Sequence, residues 1–208
     1  MSEKPAVNHA EWKRLSEKAG IPQLSYTAYP YLDYISEEFL KKIISKTLIF
    51  MEHDNRITVY RKDVENAISV AGYSPLFDVP DEGLKRCKIS NARRPASRTR
   101  SYQSQYNCLM TAKAPFRAAV IRLIGNNRIR LCIGSDRILL SEKSLTSLHI
   151  AFETFIHSIL TSSAEVMYNA KRKTLHRSDI KVASKIVLKN CSVMNLQDRK
   201  LKLWQDVF

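Results

Sequence analysis

Glycine is scarce in this chain, five in 208 residues, and none sits in a Gly-rich loop. That argues against a phosphate-cradling nucleotide site and against an all-β fold with many tight turns. The four cysteines, Cys87, Cys108, Cys132 and Cys191, are far apart with no C-x-x-C, so neither a zinc site nor a disulfide framework is expected, and they read as reduced thiols of a cytosolic or nuclear protein. No apolar run approaches the ~18 residues that a membrane span requires, and Met1 to His9 lack the apolar centre of a signal peptide. His9, His53, His149, His157 and His176 are scattered, and no nucleophile, base and orienting group stand at usable spacing. The expectation is a soluble, intracellular, non-enzymatic protein without metal or cofactor. Acidic residues are the most telling shortage. Residues 84–137 hold thirteen Lys and Arg against the single acid Asp136, whereas residues 1–83 are net −3 and residues 138–208 net +5, within a total of +14. Ten of those thirteen are Arg, the side chain whose fork matches phosphate. A polyanion is the implied partner, nucleic acid before membrane, because no basic amphipathic helix with an aromatic face accompanies the charge. The plainer alternative is a solvated basic segment.

What the chain does have is a pattern that occurs twice, 116 positions apart: Arg56-x-Thr58-Val59-x-x-x-Asp63-Val64 and Arg172-x-Thr174-Leu175-x-x-x-Asp179-Ile180. Each copy closes a long amphipathic run, the mark of one structural unit built twice. In the first unit, Glu11 to Ala19 reads as a short helix stopped by Gly20 and Pro22. Leu32, Ile35, Phe39, Ile43, Thr47 and Phe50 then recur at helical spacing, giving a long helix to about Asp54. A second short helix spans Arg61 to Val70 and stops at Gly72. Residues 78–101, with prolines and dense charge, read as a basic linker. In the second unit, a possible extra helix from Tyr102 to Lys113 precedes Pro115, which suits the first turn of a short helix over Phe116 to Ile124 that Gly125-Asn126-Asn127 breaks. Leu145, Leu148, Phe152, Phe155, Ile159 and Val166 mark a second long helix, and Ser178 is expected to cap a last helix through Val187. The division is a short arm over 1–10, a first unit over 11–77, the linker, a second unit over 102–187, and an extension over 188–208. That extension carries Leu196, Leu201, Leu203, Trp204 and Phe208, and suits docking on the core or on a partner.

A long helix flanked by two short ones cannot cover its own apolar faces and has to cross a second such unit to make a core. The finer grain of the sequence resembles the histone fold. Glu52-His53-x-x-Arg56-x-Thr58-Val59-x-x-x-Asp63-Val64 with Ala67, continuing back through Ser25, Leu24, Ile21, Gly20 and Leu15, is similar to core histone H-four. Tyr102-Gln103, Pro115-Phe116, Ala170-Lys171-Arg172-x-Thr174 and Asp179-Ile180 resemble histone H-three. The resemblance implies an all-α chain of two tandem histone folds paired head to tail. Fused pairs of this kind occur in large DNA viruses of amoebae, so it also implies a viral histone doublet of Marseilleviridae type, located in the virion and the viral replication compartment.

Spacing and resemblance agree on ion pairs Arg56–Asp63 and Arg172–Asp179, each fixing the angle of a last helix. The resemblance places DNA contacts at Arg56, Thr58, Lys171, Arg172, Lys173 and Thr174, at Arg128, Arg130 and Arg137 around the first loop of the second unit, and at Lys113, Arg117 and Arg122 on and before its short helix. Lys13 and Arg14 serve the first unit, and Arg98 and Arg100 lie in the linker. Gln23 stands where the family inserts an Arg into the minor groove, and Ile57 where it has a Lys, so the first unit should bind DNA more weakly. About seven extra residues in the second unit's first loop put the register of its arginines in doubt. Both repeated patterns are also explained by fold formation alone, with phosphate contact added to it.

The same resemblance implies a face for other histones. Val166, Asn169, Arg172, Asp179, Val182 and Ile186 would meet a second copy of the chain, with Asn169 in place of the family's His, although the apolar members equally suit intrachain core. His53 and the first unit's last helix would meet a complementary doublet of H-two-B/H-two-A type. The implied function is structural: wrapping double-stranded DNA in a nucleosome-like particle without reading bases. The competing reading is a histone-fold transcription-factor or centromere-type module that acts mainly through protein partners.

Overall fold

The computed structural model describes residues 6–73, 109–131, 133 and 138–188. The linker 78–101, residues 102–108 of the helix expected over Tyr102 to Lys113, Arg98, Arg100, Arg137 and the extension beyond residue 188 lie outside the described residues, as does the side chain of Arg130; residues 109–112 of that expected helix are described and are not helical. Helix α1 (His9–Lys18) starts two residues before the expected Glu11, because Asn8 and Glu11 form a reciprocal capping box: each backbone N–H donates to the other's side chain at 2.9 Å. Ala6 and Val7 are buried with the core, so the arm is anchored before the helix begins. Helix α2 (Ala28–His53) and helix α3 (Arg61–Ala71) complete the first unit. The second unit has α4 (Lys113–Arg130), α5 (Glu142–Asn169) and α6, described over 177–188.

The duplication is repeated in the backbone. Each long helix ends on a left-handed residue, Asn55 (φ 51°) or Lys171 (φ 53°), which are 116 positions apart. In both, the next N–H turns back to a carbonyl five residues earlier: Arg56 to Met51 at 3.1 Å and Arg172 to Met167 at 3.2 Å. This satisfies the last carbonyls of the helix. Gly20 (φ 81°) and Gly72 (φ 87°) end the short helices α1 and α3 in the same way, where a side chain would be strained.

Four two-residue strands then tie the units together. β1 (Gln23–Leu24) pairs in parallel with β4 (Thr174–Leu175), and β2 (Thr58–Val59) with β3 (Leu139–Leu140). The first loop of each unit therefore pairs with the second loop of the other, the head-to-tail arrangement. The long helices cross at Phe39, whose ring stacks on Phe155 (centroids 4.1 Å apart, planes 13° apart) and lies 6.4 Å from Phe152. Phe152 in turn sits 5.2 Å from Phe116 of α4. These buried rings contribute about 1.5–3 kcal/mol each. α3 packs on α5 and α4 on α2, so each unit's core is closed by the other unit.

Two local expectations are corrected. Gly125-Asn126-Asn127 does not break the helix: α4 continues through it to Arg130, and Lys113 is the first residue of that helix. Gly125 costs about 1 kcal/mol in a helix interior, but burial of Leu123 and Ile124 and the packing of Leu131 on the core outweigh it. The buried Asn127 amide donates to the Leu123 carbonyl at 2.9 Å, a bond that stays within the helix. Nor does Ser178 cap α6. The helix starts at 177, and the His176 N–H donates to Asp179 Oδ2 at 2.9 Å, so the side chain three residues into the corner does the capping. Tyr60 and Asp63 repeat this at 2.8 Å in the first unit.

Candidate nucleic-acid interface

Each strand pair carries one copy of the repeated pattern, and both copies share the same Arg–Asp pair. Arg56 donates to Asp63 through Nη1 (3.1 Å) and Nη2 (2.8 Å), and also reaches the Thr58 carbonyl at 3.2 Å. Arg172 donates to Asp179 through Nη1 (3.0 Å) and Nη2 (2.6 Å). Both carboxylates are buried, Asp63 and Asp179 each 3% exposed, while both arginines are partly open to solvent. A bidentate guanidinium on a buried carboxylate locks the corner between loop and helix. Burial alone would raise the Asp179 carboxyl, but the hydrogen bond from Arg172 and the backbone N–H of His176 outweigh it and hold it below the usual range. Asp63 and Asp54 hydrogen-bond Arg56 and raise its pKa further.

The flanking chemistry differs between the two strand pairs. At β1–β4, the Ser25 N–H donates to Leu175 O (3.0 Å) and the Thr174 hydroxyl to Gln23 Oε1 (3.2 Å). Lys171 and Lys173 flank that pair and are exposed. Gln23, at the position where the resemblance expects a groove-inserting Arg, is thus engaged with the opposite unit. At β2–β3, Leu139 N–H donates to Ile57 O (2.8 Å) and Ser141 N–H to Val59 O (3.2 Å), and Ile57 is 53% exposed. Lys113 and Arg117, one turn apart at the start of α4, share Glu142 at 2.7 and 3.2 Å. Lys13 and Arg14 are exposed on α1, whereas Arg122 and Arg128 are half-buried on α4.

On the expected histone-facing surface, His53 is 85% exposed beside Asp54. Val182 and Ile186, one turn apart on α6, are 48% and 45% exposed, Asn169 is exposed and Val166 half-buried. Of the other two residues expected on that surface, Arg172 is partly open to solvent, whereas Asp179 is buried beneath its ion pair with it. Sequence reasoning did not single out Arg177, which stands over the Tyr31 ring, or its counterpart Arg61, which pairs with Glu65 on its own helix. They fill the same unassigned position of the repeat, 116 apart, which a strict alignment of the two copies picks out. It also missed Glu142 and the tyrosines of β1's loop and α2, for which no motif gave a signal.

Residues 97–186 match the family model of the core histone domain, the one shared by histones H-two-A, H-two-B, H-three and H-four. The fold is the histone fold. A crystal structure of the histone from Methanopyrus kandleri superposes with a TM-score of 0.52 at 13% identity, over 85% of this chain and 92% of that one. A match of that extent spans both units. None of the curated proteins matches the sequence. Among the described residues of this histone-fold chain, no three His, Cys, Asp or Glu cluster to hold a metal, and no helix is long and apolar enough to cross a membrane.

Proposed function

We propose that the chain is a DNA-packaging histone doublet, an H-four-like fold joined to an H-three-like fold, that wraps double-stranded DNA by neutralising and bending it. The observation that carries this reading is the pair of clasped loops, each with an Arg–Asp corner and a partly exposed threonine, the β1–β4 pair flanked by the exposed Lys171 and Lys173. Such a surface meets phosphates and sugars and has no side-chain array for base edges. The +12 of residues 84–137 adds counter-charge for a polyanion. Arg56, Thr58, Lys171, Arg172, Lys173 and Thr174 are the central contacts, with Lys13, Arg14, Lys113, Arg117, Arg122 and Arg128 beside them and Arg98, Arg100, Arg130 and Arg137 contributing charge.

A second copy meets the H-three-like half through Val166, Asn169, Val182 and Ile186, and a complementary H-two-B/H-two-A-type doublet meets the other half near His53. The partly exposed valine and isoleucine on α6 support the first of these contacts. The place of action is the virion and the viral replication compartment, a reading that rests on the resemblance to viral doublets. The deciding experiment is nuclease digestion of long DNA reconstituted with the protein, with and without such a doublet. A discrete protected fragment that appears or lengthens with the second doublet is the expected result. A smear in both cases, or a salt dependence equivalent to only one or two phosphates, would move the function to a partner-binding regulatory module.

A further inference from the structure

The clasp of β1 with β4 brings the segment 25–27 against the start of α6, and with it two exposed tyrosines, Tyr26 and Tyr34, beside Tyr31, which is partly buried against the core. Tyr26, Thr27, Pro30, Tyr31, Tyr34 and Arg177 line an open cleft of about 610 Å³. Tyr26 is 83% and Tyr34 59% exposed, the two largest exposures of any described tyrosine. Tyr31 and Tyr34 lie near-parallel, 6.2 Å apart with planes at 24°, and the Arg177 guanidinium stands 5.2 Å over the Tyr31 ring. Arg177, Lys181 and Lys185 follow at four-residue intervals on α6, all exposed, so they form a basic stripe beginning at the cleft. The neighbouring acids are otherwise occupied: Asp33 accepts the Trp12 indole N–H at 2.8 Å, and Glu37 and Glu38 hold Lys41.

Exposed tyrosine rings, here Tyr26 and Tyr34, beside a line of cations are the two components of a single-stranded nucleic-acid site. Bases stack on the rings irrespective of sequence, and phosphates follow the charges. A duplex keeps its bases stacked inside and has nothing to offer Tyr26 or Tyr34. We propose that the Tyr26–Tyr31–Tyr34 shelf with Arg177 and Lys181 binds unpaired nucleotides, a second nucleic-acid activity distinct from duplex wrapping. It goes beyond the packaging reading and stands or falls separately from it, because strand and duplex affinities are measured independently.

The test is fluorescence anisotropy with a labelled thymidine oligonucleotide and, in parallel, a duplex of equal length, using the full chain. Tyr26→Ala with Tyr34→Ala should weaken the single strand by about tenfold or more, the size of one or two lost base stacks, and leave the duplex within about twofold. Both residues are solvent-facing, so the fold should survive. Tyr26→Phe with Tyr34→Phe keeps the rings and should restore single-strand binding. Arg177→Ala with Lys181→Ala should lower it and flatten its salt dependence. Unchanged single-strand affinity in the double alanine variant would overturn the proposal. So would an equal loss for both ligands, which makes the tyrosines part of the duplex surface, or a change confined to self-association, which makes the cleft a protein contact.

Discussion

Replacing Asp179 by Asn tests the central structural argument, because it keeps the side chain's volume and removes its charge. The carboxylate accepts from both Arg172 Nη atoms (3.0 and 2.6 Å) and from the His176 N–H (2.9 Å), at 3% exposure. Asn has one acceptor oxygen for three donors, and its amide faces the guanidinium. Breaking a fully buried ion pair costs roughly 3–5 kcal/mol and an exposed one less than about 1. Arg172 is 36% exposed and regains water, so the expected loss lies between those limits, at roughly 2 kcal/mol. For a chain of this size that lowers Tm by roughly 6 °C.

Urea and thermal unfolding followed by circular dichroism read this directly, and Asp63→Asn serves as the internal replicate, since it has the same three partners in the first unit. Because each unit's core is closed by the other, both variants should move a single transition. A loss below about 0.5 kcal/mol, or two separate transitions of which only one shifts, would refute the reasoning. Acid removes the same contribution. The Asp179 pKa is lower folded than unfolded, so its contribution is complete above the ordinary carboxylate value of about 4 and is lost as pH falls through the folded value. Asp179→Asn should lack that part of the acid sensitivity.

Three further outcomes are expected. Gly125→Ala should stabilise the protein by about 0.5–1 kcal/mol, because a methyl there meets nothing within 4 Å inside a continuous helix; destabilisation in urea melts would restore the helix break. Burial, aided by the charge of Lys113, lowers His149 to about 4, so it folds neutral; roughly 3 kcal/mol of stability present above pH ~6.5 should drain away on acidification toward that value, and His149→Phe should flatten the unfolding profile there. Glu11→Gln should cost about 1–2 kcal/mol, since its carboxylate caps both its own helix and, across the two units, the Ala112 N–H at 2.9 Å; no change in Tm would discount that link.

The long helices were legible because Leu32 to Phe50 and Leu145 to Val166 repeat at helical spacing, and the Arg–Asp corners because the pattern occurs twice. What stayed hidden has definite physical causes. The glycine and asparagines at 125–127 carry a weak local preference for a break, and only the packing of Leu123, Ile124 and Leu131 from outside the segment reverses it. Ser178 resembles a cap by residue type, yet Asp179 bonds the same corner more strongly through a charge. The tyrosine shelf needs Tyr26 beside Arg177, residues joined by strand pairing across some 150 positions, and no local window contains both. Glu11 is likewise an ordinary helix-start acid until its second oxygen meets residue 112.

The exchange of loops between units has a consequence for stoichiometry. Since β1 and β2 find their partners in the other half of the same polypeptide, the two units are delivered in equal number by one translation event. Their pairing is a first-order process, indifferent to dilution in a way that two separate subunits could never be. Such a chain does not have to sort correct partners from homotypic ones.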